Sequence, residues 1–324
     1  MRTHDDHEPP LEYVLPLRWS DDAEADELTH YLAQLAEQVP VTVVDGSPPD
    51  LFTAHAARWR SMVRHVPPDS WPGGNGKVAG VMTGVRLARS EAVVIADDDV
   101  RWDAEQLSRA VALLADADVV RPQNVFSPLP WHARWDSART LVNRGVHSDF
   151  PGTLVVRRSA LLRAGGYRGD VIFENLELVR TLRVAGGREV RADDLAVVRR
   201  PPTAGRFWQQ RVRQAYDSFA QPARLVAEAS VVPLVVLSAF RRRPAVPVAL
   251  ALTVTALAAR GRARPGADVI PVWTVALAPL WLAERAVCCW GAVAMRATGG
   301  VRYRGRRIRG AASSERALRR RATL

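Results

Sequence analysis

Residues 92–99 read Ala92-Val93-Val94-Ile95-Ala96-Asp97-Asp98-Asp99, an apolar run that ends in three consecutive aspartates. The run has the composition of a buried strand, and its end gathers like charges where the chain emerges into water. A divalent cation relieves their repulsion most simply, because hard cations take oxygen ligands and Mg²⁺ is usually shared between one or two carboxylates and substrate phosphates. The stretch therefore points to a phosphate-handling enzyme. Acidic residues after a strand also serve as helix N-caps, and Asp99 or Asp103 is placed to cap the segment that follows.

Outward from this point the chain alternates strand and helix. Leu11 to Leu17 reads as a strand, followed by a helix that Ser20 would cap and that runs to about Gln38, with Asp21, Asp22 and Glu24 in its first turn. Val41 to Val44 is a second strand ending in the turn Asp45-Gly46-Ser47-Pro48-Pro49, and Met62 to Val66 a third. Asn75-Gly76-Lys77 opens a helix with Ala79, Gly80, Gly84 and Ala88 on one face. After the aspartates come a helix from Asp103 to Ala115 and a strand at Val119-Val120. This alternation implies a doubly wound, mostly parallel α/β sheet, in which ligands bind beyond the carboxyl ends of the strands. Asp45 and Asp97 both stand at such ends. Two acidic strand ends on one edge are harder to explain as two independent caps.

Further on, Gly152 to Arg158 is a strand leading to Gly165-Gly166, Glu174 to Gly186 a helix, Arg188 to Arg199 an extended return, and Arg206 to Ala220 an amphipathic helix bearing Gln209, Gln210, Arg211, Arg213 and Gln214. Beyond Leu225 the character changes to the apolar runs 229–240, 244–259, 269–283 and 286–297. None reaches the roughly 20 apolar residues of a spanning helix without including a charge. Arginine clusters flank 244–259 on both sides, which conflicts with a simple crossing. Interfacial or re-entrant helices are expected, with one hairpin crossing from Ala267 to Thr298. The expected division is 1–224, a catalytic domain; 225–298, membrane-associated helices; and 299–324, a basic cytoplasmic tail.

Composition narrows the partners. The 324 residues are 48% hydrophobic with a formal net charge of +11, which excludes disorder and suggests an anionic partner. Ten arginines stand from Arg296 onward against the single acid Glu315. Basic clusters beside apolar runs suit an anionic lipid surface, and no zinc spacing or helix-turn-helix pattern supports nucleic acid. Residues 1–10 do not resemble a signal peptide, so the catalytic domain is expected on the cytoplasmic side of the cell membrane. Cys288 and Cys289 are adjacent and offer neither a disulfide framework nor a metal set. Lys77 is the only lysine among 45 basic residues, which marks a position where a compact point charge is of use.

From about Val14 to Pro222 these motifs resemble family 2 glycosyltransferases of GT-A fold. Val43-Val44-Asp45-Gly46-Ser47 and Asn75-Gly76-Lys77 look like the family's nucleotide-contacting motifs, and Asp97-Asp98-Asp99 like its metal-binding Asp-x-Asp. Glu174-Asn175-Leu176-Glu177 occupies the place of its catalytic-base motif. Gln210-Arg211-Val212-Arg213-Gln214 is similar to the Gln-x-x-Arg-Trp motif of membrane-bound members, and residues 299–307 to the glycine and arginine pattern that ends many of them. The resemblance implies inverting transfer from a nucleotide-sugar donor to a lipid or lipid-linked acceptor in the cell envelope. It places Mg²⁺ or Mn²⁺ on Asp97 and Asp99, and the nucleotide on Asp45, Lys77 and Asp97. Gln210 and Arg213, one helical turn apart, would steady the diphosphate or the acceptor.

Two departures stand out. Asn175 replaces the family's aspartate base, and an amide cannot take a proton. Glu174 or Glu177 would then deprotonate the acceptor, or the acceptor is an already ionised polyprenyl phosphate, or transfer has been lost and the chain is a non-catalytic nucleotide-sugar or lipid-binding subunit. Gln214 stands where tryptophan is usual, which favours non-processive transfer.

Overall fold

The computed structural model describes residues 10–303 and 305–322; the polar opening at 1–9 and Arg304 lie outside them. Eight strands form one sheet: β1 (Glu12–Leu17), β2 (Val41–Asp45), β3 (Arg64–Val66), β4 (Ala92–Ala96), β5 (Val100–Arg101), β6 (Val119–Phe126), β7 (Thr153–Arg157) and β8 (Glu189–Arg199). Their order is β3-β2-β1-β4-β7-β6-β8-β5. β1 runs parallel to β2 and β4, β2 to β3, and β6 to β8, while β7 is antiparallel to both its neighbours and β5 is antiparallel to β8. The sheet is mostly parallel, as the alternation implies.

Both faces are covered, and the period-2 alternation of the strands divides the core between them. Tyr13 and Leu15 of β1, with Val94 and Ala96 of β4, face α1 (Ala25–Ala36), α2 (Pro49–Trp59) and, further along the sheet, α4 (Ala104–Leu114). Val14, Val93 and Ile95 face α3 (Gly76–Leu87), α6 (Arg158–Arg163) and α7 (Glu174–Val184); α5 (Trp131–Gly145) lies between β6 and β7 in sequence. The small-residue face of α3 sits on β1: a Cβ on Gly84 would fall 2.3 Å from Val14 Cγ1. At the entry of α3, Lys77 Nζ lies 2.5 Å from Asp97, just beyond β4.

Several boundaries shift. Ser20 does not cap the first helix, which begins at Ala25 after an uncapped Glu24. Asp103 does cap α4, in a reciprocal pair with Gln106. β6 continues to Phe126, and α5 follows it with nothing in the sequence pattern to announce it: Asp136, Asn143 and Arg144 are buried in it among the apolar side chains.

The C-terminal region packs on α5 and on α8 (Ala204–Tyr216), which leads through a 3-10 turn (Asp217–Ala220) into α9 (Pro222–Phe240), α10 (Ala245–Arg262) and α11 (Ala278–Ala297). Three segments, Pro222–Phe240, Ala245–Arg262 and Val272–Ala297, are long and apolar enough to span a membrane. The expected hairpin between Ala267 and Thr298 is corrected: residues 272–277 form a 3-10 turn that runs directly into α11, so the segment is a single rod. Its internal charges turn inward, Glu284 to Arg211 of α8 and Arg285 to Glu228 of α9. Arg211 of α8 is buried between Glu284 of α11 and Asp136 of α5, at 2.5 and 2.8 Å. Leu234, Leu237, Phe240, Leu252, Val287 and Trp290 face outward.

The basic tail is not a separate appendage. β9 (Val301–Tyr303) and β10 (Arg306–Ile308) form a hairpin, and Ile172 and Phe173 donate backbone hydrogen bonds to Gly310 and Ala311. Val301, Ile308 and Ala311 share an apolar cluster with Ile172, Leu176 and Tyr216; a final helix, α12 (Glu315–Ala322), ends the described chain.

Candidate active site

Beyond the end of β4 two cavities adjoin, of about 580 and 160 Å³, with Asp97, Arg139, Arg199, Gln210, Arg213 and Gln214 in both walls. The larger takes in Asp98, Asp99, Arg18 and Arg200; the smaller takes in Glu174, Asn175, Asp217, Arg224 and Arg285. Helix α8 and the turn after it present Gln210, Arg213, Gln214 and Asp217 along one stripe, the spacing of a single helix face.

The three aspartates are held unequally. Asp97 is 2.5 Å from Lys77 Nζ and 3.5 Å from Arg199. Asp99 Oδ2 accepts from Arg199 Nε at 2.8 Å, while its Oδ1 is buried without a hydrogen-bond partner. Asp98 lines the larger cavity too but accepts from the Trp19 indole. Burial pushes the Asp99 carboxyl up to about 6; Arg199 opposes this, and Asp97 and Asp98 add to it. Burial raises the Asp97 carboxyl too, but Lys77 and Arg199 outweigh it and the net shift is downward. Gly152 is required beside this pair, since a Cβ there would lie 2.5 Å from Asp97 Oδ2.

An orphaned buried oxygen on Asp99, next to a second carboxylate and an open cavity, is what a hard-cation site needs. Asp97 and Asp99 therefore fit the metal that their motif implies, with Arg199 already supplying part of the neutralising charge.

Lys77 bridges two carboxylates: its ammonium reaches Glu174 Oε1 at 2.7 Å as well as Asp97. Burial works against that charge, yet the two carboxylates more than offset it and raise the lysine well above its ordinary range. Glu174 is thereby tied up in an ion pair. Asn175 lines the smaller cavity and donates from Nδ2 to the Pro151 carbonyl at 2.8 Å. A carboxylate there would have no proton to give that carbonyl, so the substitution pins the 151–152 loop that carries Gly152.

Two of the predicted residues lie elsewhere. Asp45 does not reach either cavity; its buried carboxylate accepts from Ser47 N at 2.8 Å and sits 2.6 Å from His55 Nδ1 and 3.1 Å from His65 Nε2. Burial alone would raise it, but these bonds, led by that of His65, bring it down to about 2. His55 also meets Asp22 at 2.8 Å. The Asp45, His55 and His65 atoms lie within 4.8 Å of one another. The 2.6 Å contact is shorter than the ~3.3 Å separating two ligands of one ion with bonds of ~2.0 Å, so the cluster is hydrogen-bonded as it stands. Glu177 is fully buried and accepts from the Ser313 backbone amide at 2.5 Å. It anchors the tail and lines neither cavity. Asp217, which the sequence reading passed over, lines the smaller cavity with a buried, unpartnered Oδ1. Its position seven residues after Gln210 was the available signal.

A mostly parallel sheet with paired aspartates at a strand end and a guanidinium-rich cleft beyond it is the arrangement of a GT-A-like fold. Residues 23–163 match the family described as Glycosyl transferase family 2. Among solved structures it is similar to the mannosyltransferase PcManGT from Pyrobaculum calidifontis in complex with GDP-Man and Mn²⁺, at 19% identity and TM-score 0.50, covering 88% of each chain. S. aureus TarS matches at 16% identity and TM-score 0.44, over 64% of this chain and 39% of that one. A mycobacterial protein matches at 18% identity and TM-score 0.42, over 63% and 72%. No curated protein matches the chain.

Proposed function

We propose that the protein is an inverting, metal-dependent glycosyltransferase that moves a sugar from a nucleotide-sugar donor to a lipid or lipid-linked acceptor at the cytoplasmic membrane face. The observation that carries this reading is the Asp97–Asp99 pair at the cavity floor, with one buried Asp99 oxygen lacking any partner. The PcManGT complex, which holds GDP-Man and Mn²⁺, supports the same donor class and a divalent ion.

Departure of a nucleoside diphosphate from a sugar builds negative charge on the β-phosphate. A cation on Asp97 and Asp99 would neutralise part of that charge. Arg213 lines both cavities and, unlike Arg139 and Arg199, is held by no ion pair among the described residues. Its guanidinium is free to take the leaving diphosphate, with Gln210 a turn away adding an amide donor. Lys77 holds Asp97 and Glu174 in place through its ammonium. Asp45 acts at one remove, holding the β2 end and the Ser47 turn, whose hydroxyl accepts from Trp19 N.

The outward apolar faces of α9, α10 and α11, with Arg241, Arg242 and Arg243 at the end of α9, support attachment to an anionic membrane. On this reading residues 1–224 are a catalytic domain and 225–298 membrane-associated helices, with Val301, Ile308 and Ala311 of the tail packed against Ile172, Leu176 and Tyr216. A second reading, a non-catalytic nucleotide-sugar-binding subunit, is favoured only by the amide at Asn175.

Wild-type protein screened with UDP-, GDP- and dTDP-sugars should hydrolyse or transfer one of them in Mn²⁺. Asp99→Ala and EDTA should each abolish that turnover while circular dichroism stays unchanged. Turnover surviving both treatments contradicts the metal-dependent reading; nucleotide binding with no turnover from any donor favours the binding subunit.

A further inference from the structure

Three carboxylates line the smaller cavity, and only one is uncommitted. Asp97 and Glu174 share the Lys77 ammonium at 2.5 and 2.7 Å. Asp217, in the 3-10 turn that continues α8, has no ion pair among the described residues, and its Oδ1 is buried with no hydrogen-bond partner. Glu177, the other acid of the base motif, is committed to Ser313. Asn175 has no basic atom to offer.

We propose that Asp217 is the catalytic base, taking the proton of a hydroxyl acceptor bound between Asn175 and the Gln210–Arg213–Asp217 stripe. The inference rests on the glycosyltransferase reading above and specifies its acceptor side. As the hydroxyl oxygen forms its bond to the anomeric carbon, the O–H proton passes to Asp217. The bond from that carbon to the phosphate oxygen breaks, and its electron pair leaves with the nucleoside diphosphate. Product release returns the proton to solvent.

The surroundings suit that task. Burial pushes the Asp217 carboxyl up to about 6; Arg213 from α8 opposes this, Glu174 from α7 adds to it, and Arg285 from α11 and Arg224 from α9 oppose it. An acid of that strength is ionised at neutral pH yet holds a proton more firmly than a solvated aspartate, the compromise a general base needs. A base of this kind also implies a hydroxyl acceptor, because an ionised lipid phosphate would require none.

The full-length protein in detergent is tested with the donor sugar that gives turnover, Mn²⁺, and two probes: dodecyl β-glucoside, which offers hydroxyls, and dodecyl phosphate. Wild type should glycosylate the glucoside with a rate that falls below about pH 6. Asp217→Asn should lose on the order of 10²-fold or more in kcat and lose the acidic limb, while nucleoside diphosphate still raises its Tm as in wild type. Asp217→Glu should restore part of the rate. An Asp217→Asn enzyme with wild-type rate and pH profile, or transfer to dodecyl phosphate alone, overturns the assignment and leaves the donor reading standing. Absence of any nucleotide-induced stabilisation in wild type would instead defeat the donor reading, and Asp217's role with it.

Discussion

Asp45 shows how a residue can be placed correctly at a strand end while the partners that hold it stay unread. Its position after an apolar run is legible, but the partners that absorb it, His55 and His65, come from α2 and β3, and no local spacing announces that they converge. The bonds that bring its carboxyl from 3.8 to about 2 favour its charged form in the folded state. The folded value lies below the unfolded one, so the contribution is present above pH 4 and is lost as pH falls from there through about 2. Asp45→Asn should therefore cost about 2 kcal/mol at pH 7, with the gap to wild type closing between pH 4 and 2 in urea titrations. A gap that persists at pH 2 contradicts this account. Asp97, Asp99 and Lys77 were readable because clustered like charge and a lone lysine are local anomalies. Asp217 was not, because a single aspartate inside a mixed polar helix looks solvated until the helix is seen facing a cavity.

At the scale of elements, strands and amphipathic helices followed their periodicities, and the failures share one cause. α5 buries Asp136, Asn143 and Arg144, so the apolar period that marks a packed helix is missing from its sequence. Those polar groups are satisfied across elements. Arg211, buried on α8, joins Asp136 of α5 to Glu284 of α11 and also donates to Gln214 at 2.9 Å. This gives Gln214 a reason that tryptophan would not serve: its amide oxygen shares a guanidinium that ties the cavity wall to the apolar helices. Removing one partner of a buried charge network strands the others, so Arg211→Met should destabilise the protein by about 3–5 kcal/mol. Thermal denaturation in detergent checks this, and a loss under 1 kcal/mol would show that α11 is held by apolar packing alone. The hairpin expected between 267 and 298 failed for a related reason: Glu284-Arg285 looks like a break in an apolar run, but both charges face protein and the helix continues through them.

For the molecule as a whole, the sheet places the donor aspartates at the centre and brings the C-terminal third to both sides of the cleft. α8, α9 and α11 wall the smaller cavity through Arg213, Arg224 and Arg285, while Gly310, Ala311 and Ser313 hold the start of α7 through Ile172, Phe173 and Glu177. The apolar helices thus contribute to the wall of the smaller cavity. The central claim, a nucleotide-sugar site completed by a divalent ion on Asp97 and Asp99, is tested most directly by calorimetric titration of the full-length protein with UDP, GDP and dTDP in Mn²⁺ and in EDTA. At least one nucleotide should bind about tenfold or more tightly with Mn²⁺, a gain of roughly 1.4 kcal/mol, and Asp99→Ala should erase that gain. Equal affinity in Mn²⁺ and EDTA, or no binding of any of the three, would contradict it.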